Sequence, residues 1–202
     1  RAVTIVLCLA LTLFLPITLR LVMNQFQRDI GARANSTPLV IGALGSRVDL
    51  TLHALYFESK PPNATAFAEV DYIHGSGFAA AIPLHATYET QGKGDAAGVP
   101  IVGTSPEYFD FRGLQVVDGR HASLLGECVV GAIAAEQLKL SPGDVILSAT
   151  RNAFNLAGDY PLKLNVVGVL AESHSPDDGV VFTDVRTTWV IDGIGHGHQS
   201  LT

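Results

Sequence analysis

The sequence is poor in the residues that catalysis, metal clusters and nucleic-acid binding draw on. Its 202 residues include one tryptophan, one methionine (Met23) and two cysteines. Cys8 lies in an apolar run and Cys128 in an expected buried strand. Such locations do not meet, so no disulfide is expected, and the pair says little about redox compartment. Thirteen lysines and arginines stand against 19 acidic residues, a formal charge of −6, and the basic residues form no run. That excludes the concentrated basic face that phosphate binding requires, and with it a nucleic-acid partner. A Walker A loop is missing. Gly92-Lys93-Gly94 lacks both the upstream glycine and the following hydroxyl that would cradle and coordinate a nucleotide phosphate. The chain therefore carries no cofactor site of that kind, and ATP hydrolysis, if linked to it, falls to another polypeptide or to further residues. G-x-S-x-G, C-x-x-C and H-E-x-x-H are also lacking, and Ser105 in Thr104-Ser105-Pro106 reads as a turn or cap residue. There is no internal repeat. None of these motifs offers a catalytic residue.

What the chain does have is apolar residues, 48% of the total, and much of the excess over an ordinary soluble domain sits near the start. Residues 2–19 carry no charge. Eighteen helical residues at 1.5 Å each span roughly 27 Å, close to the hydrocarbon thickness of a bilayer. Pro16 is tolerated near the end of a membrane helix, and Arg20 can snorkel to the interface. A cleaved signal peptide has a shorter apolar core and a small-residue cleavage site. Here residues 20–26 follow with no A-x-A pattern. A permanent anchor is the expected reading, and a buried core helix is its rival.

Residues 20–34 read as a helical continuation, with Leu21, Val22, Gln25, Phe26 and Ile30 on a thin apolar stripe. The expected organisation is a transmembrane helix at 1–23, a helical stalk at 24–34 and an extracytoplasmic domain at 35–202. The chain begins with Arg1 rather than Met, so it is read as part of a longer protein. Arg20, Arg28 and Arg33 lie after the span and Arg1 before it. Taken alone, this count points the wrong way for an exported domain.

In the domain, Ser36-Thr37-Pro38 ends the stalk and Leu39-Val40-Ile41 is expected to form a short buried strand. Residues 46–56 predict a helix with Ser46 as N-cap and Asp49 three positions on. Its expected buried face is Val48, Leu52, Leu55 and Tyr56. Residues 66–73 are helical or extended. Residues 78–84 and 86–90 read as strands broken by Pro83, and 91–98 as a flexible turn. Further strands are expected at 99–104, 127–131, 145–148, 162–170 and 180–182. A helix at 132–138 and a turn at 142–144 are also expected. Thr183 or Asp184 should cap a last helix that includes Trp189, and Asp177-Asp178-Gly179 reads as a hairpin turn. Short strands with few helices indicate an α+β domain.

An ordered set of these segments resembles a known family. It comprises Val102-Gly103-Thr104-Ser105-Pro106-Glu107-Tyr108-Phe109, Gly119-Arg120, Glu127-Cys128-Val129-Val130-Gly131, Ala134-Ala135 and Gly143-Asp144, with Val166-Val167-Gly168-Val169 and Val180-Val181-Phe182 after them. In that order they resemble the periplasmic core domain of MacB/FtsX-type ABC permeases. The resemblance implies a first membrane helix, an extracytoplasmic domain and three further helices beyond Thr202. It implies a bacterial inner-membrane location, multi-pass in the full protein, with a cytoplasmic N-terminus and the domain in the periplasm. It also implies a homodimer or heterodimer of permeases, a separate ABC ATPase subunit that carries the ATP, and a periplasmic partner. Such permeases act as mechanical transmitters. Of the motif residues, Gly103 and Gly119 are expected to permit tight turns, and Tyr108 and Phe109 to supply core area.

Histidine leaves one site open. Gly195-His196-Gly197-His198 places two imidazoles two residues apart. His196 and His198 could supply two metal ligands, with Asp192 or Asp177-Asp178 adding a carboxylate. The alternative is that they cap or hydrogen-bond near the return to the membrane. A single-pass sensor or binding module is the competing functional class, and it would show no further spans.

Overall fold

The computed structural model describes residues 1–58, 61–92, 97–150 and 161–191. Two compact units divide the chain, Arg1–Ile41 and Gly42–Thr202.

The first unit is built on one helix, α1 (Ala2–Asn35), which is long and apolar enough to cross a membrane. Two of its hydroxyls are satisfied within the helix. Thr12 Oγ1 donates to the Leu9 carbonyl at 2.9 Å and Thr18 Oγ1 to that of Phe14 at 2.8 Å, as lipid surroundings require. The helix runs through Pro16 and ends where Ser36 N–H returns to the Ala32 carbonyl. Residues 39–41 form no strand; Leu39 and Ile41 are exposed. Three apolar residues make a strand only where a neighbour supplies hydrogen bonds, and none among the described residues does so.

The second unit holds α2 (Arg47–Tyr56), α3 (Ala68–Ser76), β1 (Leu84–Thr90), β2 (Pro100–Thr104), α4 (Glu107–Arg112) and β3 (Val116–Gly119). These are followed by β4 (Glu127–Val130), α5 (Ala132–Leu138), β5 (Val145–Thr150), β6 (Lys163–Leu170), a 3-10 turn (Pro176–Gly179), β7 (Val181–Asp184) and α6 (Val185–Ile191). The class is α+β, as the sequence implies. Ser46 caps α2 by accepting from Asp49 N–H at 3.2 Å, and Asp184 caps α6 by accepting from Arg186 N–H at 2.8 Å. The buried side of α2 differs from expectation. His53 and Leu55 are buried, whereas Val48 and Leu52 are exposed. Residues 78–83 form no strand, and Phe78 is exposed.

The strand order is β3-β6-β4-β7-β2-β1-β5, and β5 pairs back onto β6. Six strands thus form a closed ring of pairings, with parallel contacts at β2–β7 and β4–β6 and antiparallel ones elsewhere. Strand β6 can serve both ends because β5 pairs along its first half, Val145 opposite Asn165, and β3 along its second, Val116 opposite Leu170. The central strands are buried on both faces, which is why they read as short unbroken apolar runs. Ile101, Cys128, Val130 and Val181 enter one core cluster, and Val102, Val129 and Phe182 enter the other. Helix α5 adds Ala134, Ala135 and Leu138 to the first; Phe57 and Tyr108 join the second.

Candidate functional site

Several of the segments that carry the family resemblance, on β2, β4 and β7, meet in the middle of this sheet. Phe182 on β7 is fully buried and is surrounded by rings. Phe57 meets it edge-on at 6.2 Å, Phe109 at 5.5 Å and Tyr108, tilted, at 5.4 Å. Tyr108 and Phe109 thus supply core area as expected. Both lie on α4, a helix of six residues that the sequence pattern does not announce. The signal that could have found it is Ser105-Pro106 followed by Glu107, since proline and an acidic residue favour a helix start.

Tyr108 also anchors the 3-10 turn. Its hydroxyl donates to Asp177 Oδ1 at 2.7 Å, in a buried bond spanning 69 residues of sequence. Ser175 Oγ donates to Asp177 Oδ2 at 2.8 Å. The Asp178 carboxylate accepts from Ser173 N–H at 2.9 Å, Ser173 Oγ at 2.8 Å and Ser175 N–H at 3.3 Å. Ser175 and Asp178 together form a capping box. Asp177-Asp178 therefore starts a capped 3-10 turn, not a hairpin, and both residues are only 1% exposed. Their oxygens are spent on holding the turn, so they are poor candidates for metal ligation. Among the described residues no group of three or more metal-ligating side chains occurs. His196, His198 and Asp192 lie outside the described residues.

A second carboxylate organises the loop between β3 and β4. Glu127 accepts from both Nη atoms of Arg120, from Ser123 N–H at 3.0 Å and from Leu124 N–H at 3.1 Å. The Arg120 hydrogen bonds, followed by the Ser123 amide, hold the Glu127 carboxyl down at about 2. The next residue behaves oppositely. Burial pushes the Cys128 thiol up to about 12, and its sulfur lies 3.5 Å from the Asn165 carbonyl. Such a thiol is a packing group rather than a nucleophile. Near the start of α4, a hydrogen bond from the Ser105 side chain is the main cause lowering the Glu107 carboxyl; Ser105 sits in the turn before the helix, whose N-cap is Pro106 with no side-chain cap bond.

The glycines of these motifs serve close packing. Gly119 has φ +78°, and a Cβ there would overlap the Val167 carbonyl. A Cβ on Gly131 would overlap the carbonyls of Asp177 and Asp178. Gly103 is not in a turn. It lies in β2, and a side chain there would strike Thr188 of α6. The whole arrangement locks strands, turn and helices to one another, and the Asp177, Asp178 and Glu127 carboxylates are bonded to the protein itself.

This fold and these packed motifs define an extracytoplasmic domain of the kind borne by ABC permeases. The chain belongs to the MacB-like periplasmic core domain family, whose model matches residues 2–200. Among solved structures it is similar to the extracellular domain of the noncanonic ABC-type transporter YknZ from Gram-positive bacteria. The identity is 17%, 75% of each chain is covered and the TM-score is 0.51. It is also similar to the periplasmic region of MacB from Actinobacillus actinomycetemcomitans, at 16% identity over 64% of this chain and 58% of that one, with a TM-score of 0.46. No curated protein matches it. At 17% identity the likeness to the YknZ domain speaks for the fold, and the family match for membership.

Proposed function

We propose that the chain is part of a permease subunit of a MacB/FtsX-type ABC transporter. In this reading it relays movement, driven by ATP hydrolysis on a partner subunit, to a periplasmic domain that handles an envelope substrate. Residues 1–23 lie in the bilayer of the inner membrane, residues 24–34 form the stalk and residues 35–202 the outer domain. The full protein is multi-pass and works as a dimer with its ATPase.

The observation that carries this reading is the uninterrupted length of α1. Its 34 residues extend for roughly 51 Å at 1.5 Å per residue. The hydrocarbon core takes about 30 Å of that, leaving roughly four turns beyond it. A continuous helix transmits a push or a tilt, where a flexible linker would absorb it. Family membership and a domain whose motif residues lock its own elements together support the same reading.

The test is co-purification. The full-length protein, extracted in mild detergent, should bring down an ATP-hydrolysing subunit in a stable complex. Its basal ATPase rate should change when α1 is interrupted by a flexible Gly-Ser insert after Asn24. A folded, detergent-soluble protein that binds no such subunit would overturn the reading.

A further inference from the structure

Helix α2 is the first helix of the second unit after Ile41, and its attachment is lopsided. Arg47, Val48, Asp49, Thr51 and Leu52 are exposed and Leu50 is half-buried, whereas full burial begins at His53 and Leu55 and is completed at Phe57. The entering chain touches the helix from its exposed half, since Gly42 lies so close to Leu50 that a Cβ would overlap that side chain. At the other end, Phe57 closes the helix with φ +57° and ψ +18°, and its amide donates to the His53 carbonyl at 3.1 Å. Helix caps in this left-handed conformation are usually glycine, because an L side chain strains the backbone there. Phe57 accepts that strain while only 1% exposed, its ring edge-on to Phe182. A strained residue is retained where the surroundings over-determine it, and here the surroundings are a ring socket on β7.

We propose that α2 is a hinged strut. Its full burial is confined to its C-terminal turn, and it swings about Phe57, which stays in the Phe182 socket, while the ring of strands stays closed. Few buried contacts and a strained hinge are the properties of a segment that opens before the rest of its domain. Helix α5 is the internal comparison. It is shorter, at seven residues, yet Ala134, Ala135 and Leu138 are all buried in the core. Length alone predicts that α5 frays first; seating predicts that α2 does. That α2 takes up movement from α1 rests on the relay reading above.

Native-state hydrogen exchange on the full-length protein in mild detergent tests this. The amides of residues 50–57 should exchange at least about tenfold faster than those of α5, β4 and β7. Phe57→Ala should speed exchange at residues 50–57 by a further tenfold or more and leave β4 and β7 unchanged. If α2 is as protected as α5, or if Phe57→Ala accelerates strands and helix alike, α2 is ordinary core and the strut is wrong. Should that variant fail to fold, the comparison of α2 with α5 in the unaltered protein still decides. A separate arm adds the ATPase subunit and a non-hydrolysable ATP analogue. A change at α2 supports the coupling, whereas independent opening of α2 that nucleotide does not alter keeps the strut and removes the relay.

Discussion

Gly119 and Gly168 stand opposite each other where β3 meets β6, and neither has room for a side chain. A Cβ on Gly168 would overlap the Arg120 carbonyl, and one on Gly119 the Val167 carbonyl. The crossing also aligns Arg120, whose amide donates to Val167 at 2.9 Å before its guanidinium turns to Glu127.

Gly168→Ala should therefore destabilise the domain by about 1–3 kcal/mol, because the obstacle is backbone rather than a flexible side chain. Gly75→Ala is the control. Gly75 lies within α3 and has open space around it, so alanine should be neutral or stabilising by roughly 0.5–1 kcal/mol. Denaturant unfolding followed by circular dichroism measures both, and equal costs would contradict the packing argument.

Tyr108→Phe removes the hydroxyl from Asp177 without disturbing the ring cluster. A buried carboxylate that loses a partner costs about 1–3 kcal/mol. A double-mutant cycle with Asp177→Ala should return a coupling energy of about 1 kcal/mol or more. Additivity of the two changes would mean that the bond contributes nothing.

Acid stability has a marked contributor in Glu127. Its carboxyl titrates at about 2 in the folded protein, below the ordinary 4.5. The folded form thus binds its proton less readily than the unfolded chain does. The stabilisation is fully present above about pH 4.5 and is lost as pH falls toward 2. Glu127→Gln should flatten the stability profile across that window and lower stability at pH 7. An unchanged slope between pH 5 and 2 would exclude the assignment.

Thiol chemistry separates the two cysteines from bulk water for different reasons. Cys128 is buried, with its thiol pushed up to about 12, and should resist maleimides at pH 8 until the domain unfolds. Cys8 is uncovered by the protein and lies in the apolar part of α1. In membranes it should be shielded by lipid from a charged reagent, yet react in denaturing detergent. Rapid labelling of Cys8 in intact vesicles would place that helix outside the bilayer.

The sequence discloses those elements whose partners are also apolar. Strands β2, β4 and β7 read correctly because burial on both faces leaves short Val/Ile/Leu runs bounded by glycine or proline, and β6 because its burial alternates along the strand. The Ser46 cap was legible because capping is local chemistry. The apolar triplet 39–41 misleads because strand formation depends on a distant neighbour. The exposed half of α2 misleads because its seat is one turn long. Strand β3 leaves almost no trace, having four residues and a register shift between Val116 and Asp118. The role of Asp177 and Asp178 was hidden for a different reason. Their partner Tyr108 is remote in sequence, and a carboxylate pair before glycine looks the same whether it faces solvent or the core.

Because the ring of strands closes through β5 and β6, β3 is the strand among the described residues that ends the sheet. It is short, irregular in register and carries Asp118. A neighbouring molecule that tried to zip onto it would find few aligned amides and a negative charge in the way. Many copies held side by side on one membrane surface can thus collide often without sticking sheet to sheet.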